Sequence, residues 1–216
     1  VRALRDHPDR FLPSAGVDPN EGMKAVEEIV RLHETVGLRA IAGFPAGYSP
    51  QVPINDKRWY PIYAKCCELD IPVFMSSMLQ VPFIVRTLKR GQKVGIISAN
   101  ASVMTEQHLR NVGITPDMPV VLYGMEDKYE FRSSVLEEKG TMDTDVIEKE
   151  ILEVCEQMLK DHPEVAAIQL ECSDLPPFAA AVHEHTGLPV FDFITMIRHV
   201  ESALNPTRYC GPGYHM

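Results

Sequence analysis

The sequence predicts an α/β protein with mainly parallel sheets, because short apolar strands alternate with helices along most of its 216 residues. The uninterrupted apolar stretches are strand-length, as at residues 71–75 and 94–97, and glycine or polar turns separate them from the helices. Hydrophobic residues make up 45% of the chain, which is enough for a sizeable buried core. In such sheets the loops after the strands carry most binding sites.

The first 90 residues show this alternation clearly. Apolar residues at helical spacing predict a helix over residues 20–36, and Gly37 stands where a glycine that ends a helix is expected. The other elements predicted here are a strand at 38–41, a loop at 43–47, a helix at 57–69, a strand at 71–75 and a helix at 80–88.

The same pattern continues after Gly91. The clearest element is a long amphipathic helix over residues 143–161, with apolar side chains on one face. The remaining predictions are strands at 93–98, 118–123, 165–170 and 188–191, helices at 105–111, 177–186 and 193–204, and an irregular tail over 205–216.

Composition excludes several classes of partner. The formal net charge of −9 disfavours nucleic acid and anionic membrane surfaces, which both require a basic patch.

No apolar run approaches the ~20 residues of a membrane span, and no signal-peptide core follows the first residues. The first residue is not Met, from which we expect the chain to begin within a longer protein. Five cysteines, in spacings typical of neither disulfide frameworks nor zinc sites, predict reduced thiols and a cytoplasmic location.

The first candidate site is the run over residues 170–177, Leu-Glu-Cys-Ser-Asp-Leu-Pro-Pro, which lies between a strand and a helix. Cys172 would lie near a helix N-terminus, where backbone N–H groups and the helix dipole lower a thiol pKa. A thiolate there is competent as an acid/base group or a nucleophile. The alternative is a small buried core residue, and position alone favours neither interpretation.

Two other strand ends carry small polar residues. The loop Asn100, Ala101 and Ser102 follows a strand and could offer backbone N–H groups to a carboxylate, although an ordinary helix-capping turn has the same composition. Ser76 and Ser77 could bind a polar ligand, but helix capping is the commoner role of paired serines.

These runs together resemble the aspartate/glutamate/hydantoin racemase superfamily. The resemblance covers residues 71–200 and includes 71–77, 94–102, 168–177 and 187–192 in the family's order. It implies two pseudo-symmetric Rossmann-like lobes, each usually supplying one cysteine to a cleft. One thiolate removes the Cα proton and the other thiol reprotonates the opposite face, with no pyridoxal cofactor and no metal.

Carried onto this sequence, the resemblance makes Cys172 the second catalytic cysteine and Ser173 the small hydroxyl residue beside it. The substrate carboxylate would be bound by Asn100, Ala101 and Ser102, with Ser76 and Ser77 as further substrate-binding residues. The predicted partner is a small substrate bearing a carboxylate, and self-association into a homo-oligomer is left open.

The N-terminal part departs from this family, so the first lobe is predicted to be atypical. Residues 1–74 resemble a fragment of a metal-dependent amidohydrolase barrel, without that family's paired N-terminal histidines. The strand that should deliver the first cysteine contains a glycine and no thiol. Core packing or partial exposure is the better expectation for Cys66 and Cys67. We expect a junction near Ile71 and three parts: residues 1–90, 91–190 and a returning segment over 191–216.

Three functions remain open from the sequence. The first is an isomerase acting at the Cα of a small acidic amino acid or a hydantoin, impaired by the missing first cysteine. The second is a cofactor-independent decarboxylase of malonate type, since protonating a carbanion left by loss of CO2 needs only one thiol. The third is a catalytically silent chimeric fold, or an amidohydrolase-derived fragment, that binds a small carboxylate or nothing.

Overall fold

The computed structural model describes residues 13–43, 48–50, 52, 56–71, 73–74, 76–204 and 206, and the chain folds as two compact units, 1–75 and 76–216. Residues 44–47 of the predicted loop, Cys210 and nearly all of the predicted tail lie outside the described residues. The predicted division at residues 90 and 190 stays a prediction.

The first unit contains a parallel sheet in the order β1-β2-β3, with strands Ser14–Gly16, Ala40–Ala42 and Val73–Phe74. Its helices are α1 (Met23–Val36) and α2 (Tyr60–Glu68), each preceded by a short 3-10 turn. Gly37 ends α1 with φ +66°, the left-handed conformation that favours glycine. Strand β1 was not predicted, because Ser-Ala-Gly has neither apolar character nor β-branched residues.

The core of the first unit forms around Trp59, which is fully buried. The ring of Trp59 stacks on Tyr63 with centroids 5.6 Å apart and meets Tyr48 edge-on at 5.9 Å. Side chains of α1, α2 and β2 complete this cluster, including Ile29, Ile41 and Ile62. The apolar stripe of α1 therefore faces the sheet, as its helical spacing predicted.

The second unit contains a four-stranded parallel sheet in the order β5-β4-β6-β7. Its strands are β4 (Lys93–Ser98), β5 (Val120–Gly124), β6 (Val165–Leu170) and β7 (Val190–Phe191). Its helices are α3 (Val81–Thr87), α4 (Glu106–Asn111), α5 (Tyr129–Phe131), α6 (Thr144–Asp161), α7 (Ala179–Thr186) and α8 (Phe193–Leu204). The predicted order of strands and helices is confirmed here apart from the additional α5, with ends that coincide with the prediction or move by one or two residues.

Helices cover both faces of this sheet. Ile97 and Leu170 point into a cluster with α6 and α7, while Ile96 and Ala167 pack with α3 and the end of α4. Successive residues of β4 and β6 thus pack into opposite cores, which explains why both strands are mostly apolar. Among the described residues, no helix is both long and apolar enough to cross a membrane.

Helix α5, which continues into a π-helical turn at Arg132–Leu136, was not predicted from the sequence. The carboxylate of Glu150 on α6 accepts the backbone N–H groups of Glu130 and Phe131, at 2.8 and 2.9 Å. Glu130 in turn accepts the N–H of Asp143 and binds Lys139. These long-range contacts, rather than local periodicity, hold residues 129–143 in place.

Candidate functional site

The sheet order puts a topological switch point between β4 and β6. The chain leaves β4 toward β5 on one side, and later returns to place β6 on the other side of β4. Ligands of open parallel sheets bind outside the carboxyl ends of the strands at such a switch point. Ser98 ends β4, and Glu171 and Cys172 directly follow β6. The two runs that the sequence analysis selected therefore lie on neighbouring strands.

Cys172 is nearly buried, with 6% of its surface exposed. Its Sγ lies 3.5 Å from Asp174 Oδ2, to which the thiol donates, and it accepts the backbone N–H of Asp174 at 3.5 Å. Asp174 itself is exposed. This arrangement connects a shielded thiol to solvent through one carboxylate.

The expected lowering of the thiol pKa is wrong for this structure. Burial, followed by the negative charges of Asp174 and Glu171, raises the pKa of Cys172 to about 12, against the opposing N–H of Asp174. Desolvation therefore outweighs the effect of the nearby helix N-terminus. At neutral pH the side chain is a thiol.

Glu171 directly precedes Cys172 and contacts the end of β4, and it was not among the site residues predicted from the sequence. Ser98 Oγ donates to Glu171 Oε2 at 3.1 Å, and the backbone N–H of Ala99 also donates to this carboxyl. Burial raises the pKa of Glu171 above its ordinary value despite these two donors. The signal for it was a charged residue placed directly after an apolar strand, next to the selected cysteine.

The loop predicted to bind a substrate carboxylate holds a carboxylate of the chain itself. The N–H groups of Ala101 and Ser102 donate to Glu126, at 3.1 Å to Oε2 and 3.0 Å to Oε1. Asn100 Oδ1 accepts the N–H of Ser102 at 3.1 Å and its hydroxyl at 2.6 Å. These N–H groups therefore have a carboxylate partner within the chain, supplied by the turn after β5, and binding of a substrate carboxylate by Asn100, Ala101 and Ser102 stays a prediction.

Gly124 makes the contact of Glu126 with this loop possible. A Cβ at position 124 would lie 1.6 Å from Glu126 Oε2 and 2.7 Å from the backbone nitrogen of Ala101. The carboxylate therefore occupies the space that any side chain at this position would fill. Neither Gly124 nor Glu126 was selected from the sequence, because their meeting depends on the pairing of β4 with β5.

The two serines before α3 have different roles. Ser76 accepts the N–H of Met78 and begins the 3-10 helix Ser77–Gln80, which is the capping role weighed against ligand binding. Ser77 is fully buried, and its hydroxyl contacts the carbonyl oxygens of Leu170 at 2.9 Å and Glu171 at 3.1 Å. Ser77 therefore supports the backbone that carries Cys172. Ser173 is exposed on the turn after the thiol, and its role as a substrate-binding residue stays a prediction.

The other described cysteines have different surroundings. Cys155 lies on the buried face of α6, in the same apolar cluster as Cys172, and burial raises its thiol pKa to about 12. Cys66 is buried on α2 of the first unit, with its pKa raised to about 11 for the same reason, and Cys67 is exposed. Core packing, the expectation for Cys66, is confirmed.

A metal-dependent amidohydrolase needs a cluster of ligating side chains. Within the described parts of the chain, no group of three or more His, Cys, Asp or Glu residues is arranged to hold a metal ion. The residues that the structure describes therefore do not fit the metal centre that the N-terminal resemblance implies.

Comparison with known proteins supports both resemblances. A family model described as amidohydrolase matches residues 1–190, further along the chain than the predicted 1–74. A glutamate racemase isoform of Bacillus anthracis superimposes with a TM-score of 0.50 and 12% identity, over 94% of this chain and 74% of that one. This likeness concerns the fold alone and confirms the predicted α/β class of Asp/Glu racemase type.

The curated relatives are named for another activity. A dimethylsulfoniopropionate lyase of Durusdinium sp. clade D is 32% identical over 127 residues, which is 57% of this chain and 42% of the relative. Dimethylsulfoniopropionate lyase 3 of Emiliania huxleyi is 31% identical over 141 residues, 62% of this chain and 36% of that protein. The chain thus spans about two fifths of the length of these relatives.

Proposed function

The chain belongs to the amidohydrolase family, yet its described residues gather no metal-ligating cluster, and we propose that it acts through the thiol of Cys172 as a carbon-acid lyase. The reaction is removal of a proton from the carbon beside a carboxylate, followed by loss of a sulfonium group from the next carbon. The substrate class is a short carboxylate with a β-sulfonium group, of which dimethylsulfoniopropionate is the simplest test.

The chemistry requires one proton carrier. The Cys172 thiolate takes the Cα proton, the electron pair of the C–H bond forms the C=C bond, and the C–S bond breaks with its electrons on sulfur. The products are dimethyl sulfide and acrylate, with no change in the overall oxidation level. The proton on Sγ then leaves through Asp174, whose Oδ2 lies 3.5 Å away and which is exposed to water.

The observation that carries this proposal is the negative surroundings of a buried thiol. Asp174 and Glu171 both disfavour a thiolate at Cys172, and the described partners of these carboxyls are neutral groups. A substrate with a fixed positive charge reverses this effect, because an opposite charge within a few ångströms stabilises the thiolate. Proton removal is then coupled to binding of the correct substrate.

The same negative charges also favour some substrates over others. An acidic amino acid would bring two carboxylates toward Asp174 and Glu171, whereas a sulfonium carboxylate brings a cation and only one carboxylate. The similarity to two dimethylsulfoniopropionate lyases is consistent with this preference. The predicted racemase activity begins with the same proton removal, but inversion also needs a second proton carrier on the opposite face of the substrate.

One observation favours the decarboxylase as a second candidate. A thiol with a pKa raised to about 12 is protonated at neutral pH, which is the state needed to donate a proton to a carbanion left by loss of CO2. This activity does not require a thiolate at any step. It predicts CO2 release from aryl malonates by the free enzyme.

Proton NMR in D2O tests these possibilities with one protein preparation. Dimethylsulfoniopropionate, aspartate, glutamate, hydantoins and aryl malonates are incubated separately with the wild type, Cys172→Ala and Cys155→Ala. We expect acrylate and dimethyl sulfide from the first substrate, a loss of at least about 10³-fold for Cys172→Ala, and near wild-type rates for Cys155→Ala. Cys155 is the matched control, since it is a buried thiol of the same unit.

The outcomes separate the candidates. Acrylate formation that survives in Cys172→Ala would contradict the proposed role of this thiol. Exchange of α-protons in aspartate or glutamate without acrylate formation would favour the isomerase, and CO2 release would favour the decarboxylase. Inactivity of the wild type on the whole panel would leave the silent fold as the better description.

A further inference from the structure

A groove of about 420 Å³ lies on the surface of the first unit, between α1 and α2. Met23, Val26 and Val30 line it from α1, at spacings of three and four residues that place them on one side of the helix. Met23 stays 60% exposed. From α2 the groove is lined by Lys65, whose ammonium group is bound by Glu68 at 2.6 Å. An apolar surface rimmed by polar residues is typical of a contact with another protein chain.

A row of four charged residues runs along α1 beside this apolar stripe. The spacings within the row are three, four and three residues, so its members form one line on the helix surface: Lys24, Glu27, Arg31 and Glu34. The last three line the groove, and Lys24 is exposed one turn before them. The charge changes sign at every step along the row.

Contacts within the chain leave most of this row without an ion-pair partner. Arg31 binds Glu28, which lies outside the row, through Nε at 2.7 Å and Nη2 at 2.6 Å. Its Nη1 takes no part in that contact. Among the residues that the structure describes, no ion pair includes Lys24, Glu27 or Glu34. The row therefore presents charges that a partner surface with the opposite pattern can pair.

The row is complementary to a reversed copy of itself. Ile29 lies midway between Glu27 and Arg31, and also midway between Lys24 and Glu34. If a second α1 runs antiparallel about a two-fold axis at Ile29, Glu27 lies opposite Arg31 of the second copy. Lys24 then lies opposite Glu34, and each of these contacts occurs twice. A parallel copy in register would instead place like charges opposite each other.

We propose that this chain forms a two-fold dimer through the groove between α1 and α2, with the two α1 helices antiparallel. A two-fold axis perpendicular to both helices keeps the same side of each helix together, so the charged rows face each other. The same axis places Val30 against Val26 and Val30 of the second copy, which covers the apolar stripe. A contact of about four helical turns is small for a specific interface, and we expect a dissociation constant on the order of 10 μM.

Sedimentation velocity of the whole chain, from about 1 to about 200 μM, tests the proposal without any substrate. We expect a reversible monomer–dimer equilibrium. Glu27→Arg and Arg31→Glu should each weaken association by at least about tenfold, because each turns two attractive contacts into repulsive ones. Glu148→Arg, the same change of charge at an exposed position of α6, should leave association unchanged. Circular dichroism and urea unfolding check that each variant is folded.

An equimolar mixture of Glu27→Arg and Arg31→Glu tests the antiparallel orientation. One variant carries two cations at the centre of the row and the other carries two anions, so both central contacts become attractive only in the mixed dimer. We expect the mixture to associate about as tightly as the wild type, although neither variant does so alone. The double variant Glu27→Arg/Arg31→Glu should also recover association, since it exchanges the two charges.

Three results would overturn the proposal. A wild type that remains monomeric at about 200 μM would leave the groove to a different partner. A dimer that neither charge reversal weakens would have its interface elsewhere on the chain. Two weakened variants that fail to associate when mixed would show that Glu27 and Arg31 of the two copies do not lie opposite each other.

Discussion

At the scale of single residues, the most constrained position near the site is Gly124. Its φ needs no special freedom, and the constraint comes from space, since the Glu126 carboxylate lies where a Cβ would be. Glycine here serves close approach rather than a turn. The contact joins the end of β5 to the loop Asn100–Ser102. The absence of a Cβ at Gly124 therefore allows Glu126 to connect two neighbouring strand ends.

We predict that Gly124→Ala destabilises the protein by about 1–3 kcal/mol, because Glu126 must leave its two N–H donors or the backbone must shift. Urea unfolding measures the change. The variants Glu126→Ala and Gly124→Ala should be strongly non-additive, since each removes the same contact. Purely additive effects would show that Glu126 does not occupy the space at position 124 in solution.

Residue environment also explains why the charge state of Cys172 was wrongly predicted. The sequence places a cysteine between a strand and a helix, and such positions often lower a thiol pKa. Burial among apolar side chains and two neighbouring carboxyls has the opposite effect here. How deeply a side chain is buried depends on elements distant in sequence. The direction of the pKa shift of Cys172 could therefore not be predicted from residues 170–177 alone.

At the scale of secondary structure, α5 depends on α6 for its formation. Three residues of α-helix followed by a π-helical turn have little stability alone. The Glu150 carboxylate supplies acceptors for two N–H groups at the start of α5, so α6 must be folded first or at the same time.

We predict that Glu150→Ala raises hydrogen exchange of the backbone amides between residues 129 and 136 by at least about tenfold, because both N–H groups lose their acceptor. Exchange in β4 and β6 should change much less. Mass spectrometry of peptides resolves these regions. Glu148→Ala, an exposed change on the same helix, is the matched control, and equal effects of both variants would contradict the capping role.

The elements that the sequence predicted well share one property. Helices α1 and α6 carry apolar residues at a helical spacing that indicates both their type and their buried face, and strands β4 and β6 are nearly continuous apolar runs of strand length. Strand β1 and helix α5 lack that signal, because β1 owes its place to pairing with β2 and α5 owes its place to Glu150. Cys172 was found through its strand, whereas Glu126 required knowledge of sheet order.

At the scale of the whole molecule, buried thiols make the free energy of unfolding decrease at alkaline pH. Burial raises the pKa of Cys66 to about 11 and of Cys155 and Cys172 to about 12, from an ordinary value of 9.0. The unfolded chain therefore releases these protons at lower pH than the folded chain. Their contribution to stability is complete below about pH 9 and is lost as pH rises toward the folded values.

We predict that the urea concentration at the unfolding midpoint decreases as the pH is raised from about 8 to about 10.5. The decrease should be smaller in Cys155→Ala, because this variant lacks one thiol with a raised pKa. Tyr63, whose pKa is also raised to about 12, contributes equally in both proteins and cancels in the comparison. An identical fall in both proteins would show that Cys155 ionises equally well in the folded and unfolded chains.

The strand order also determines when the surroundings of Cys172 can form during synthesis. Strand β6 is an inner strand that needs β4, about seventy residues earlier in the chain, and β7, about twenty residues later, as neighbours. During synthesis Cys172 emerges before β7, and we expect its thiol to become fully shielded only after β7 has paired with β6. Loss of the reactivity of Cys172 toward a thiol reagent would therefore report the last stage of folding, in which β6 gains both of its neighbouring strands.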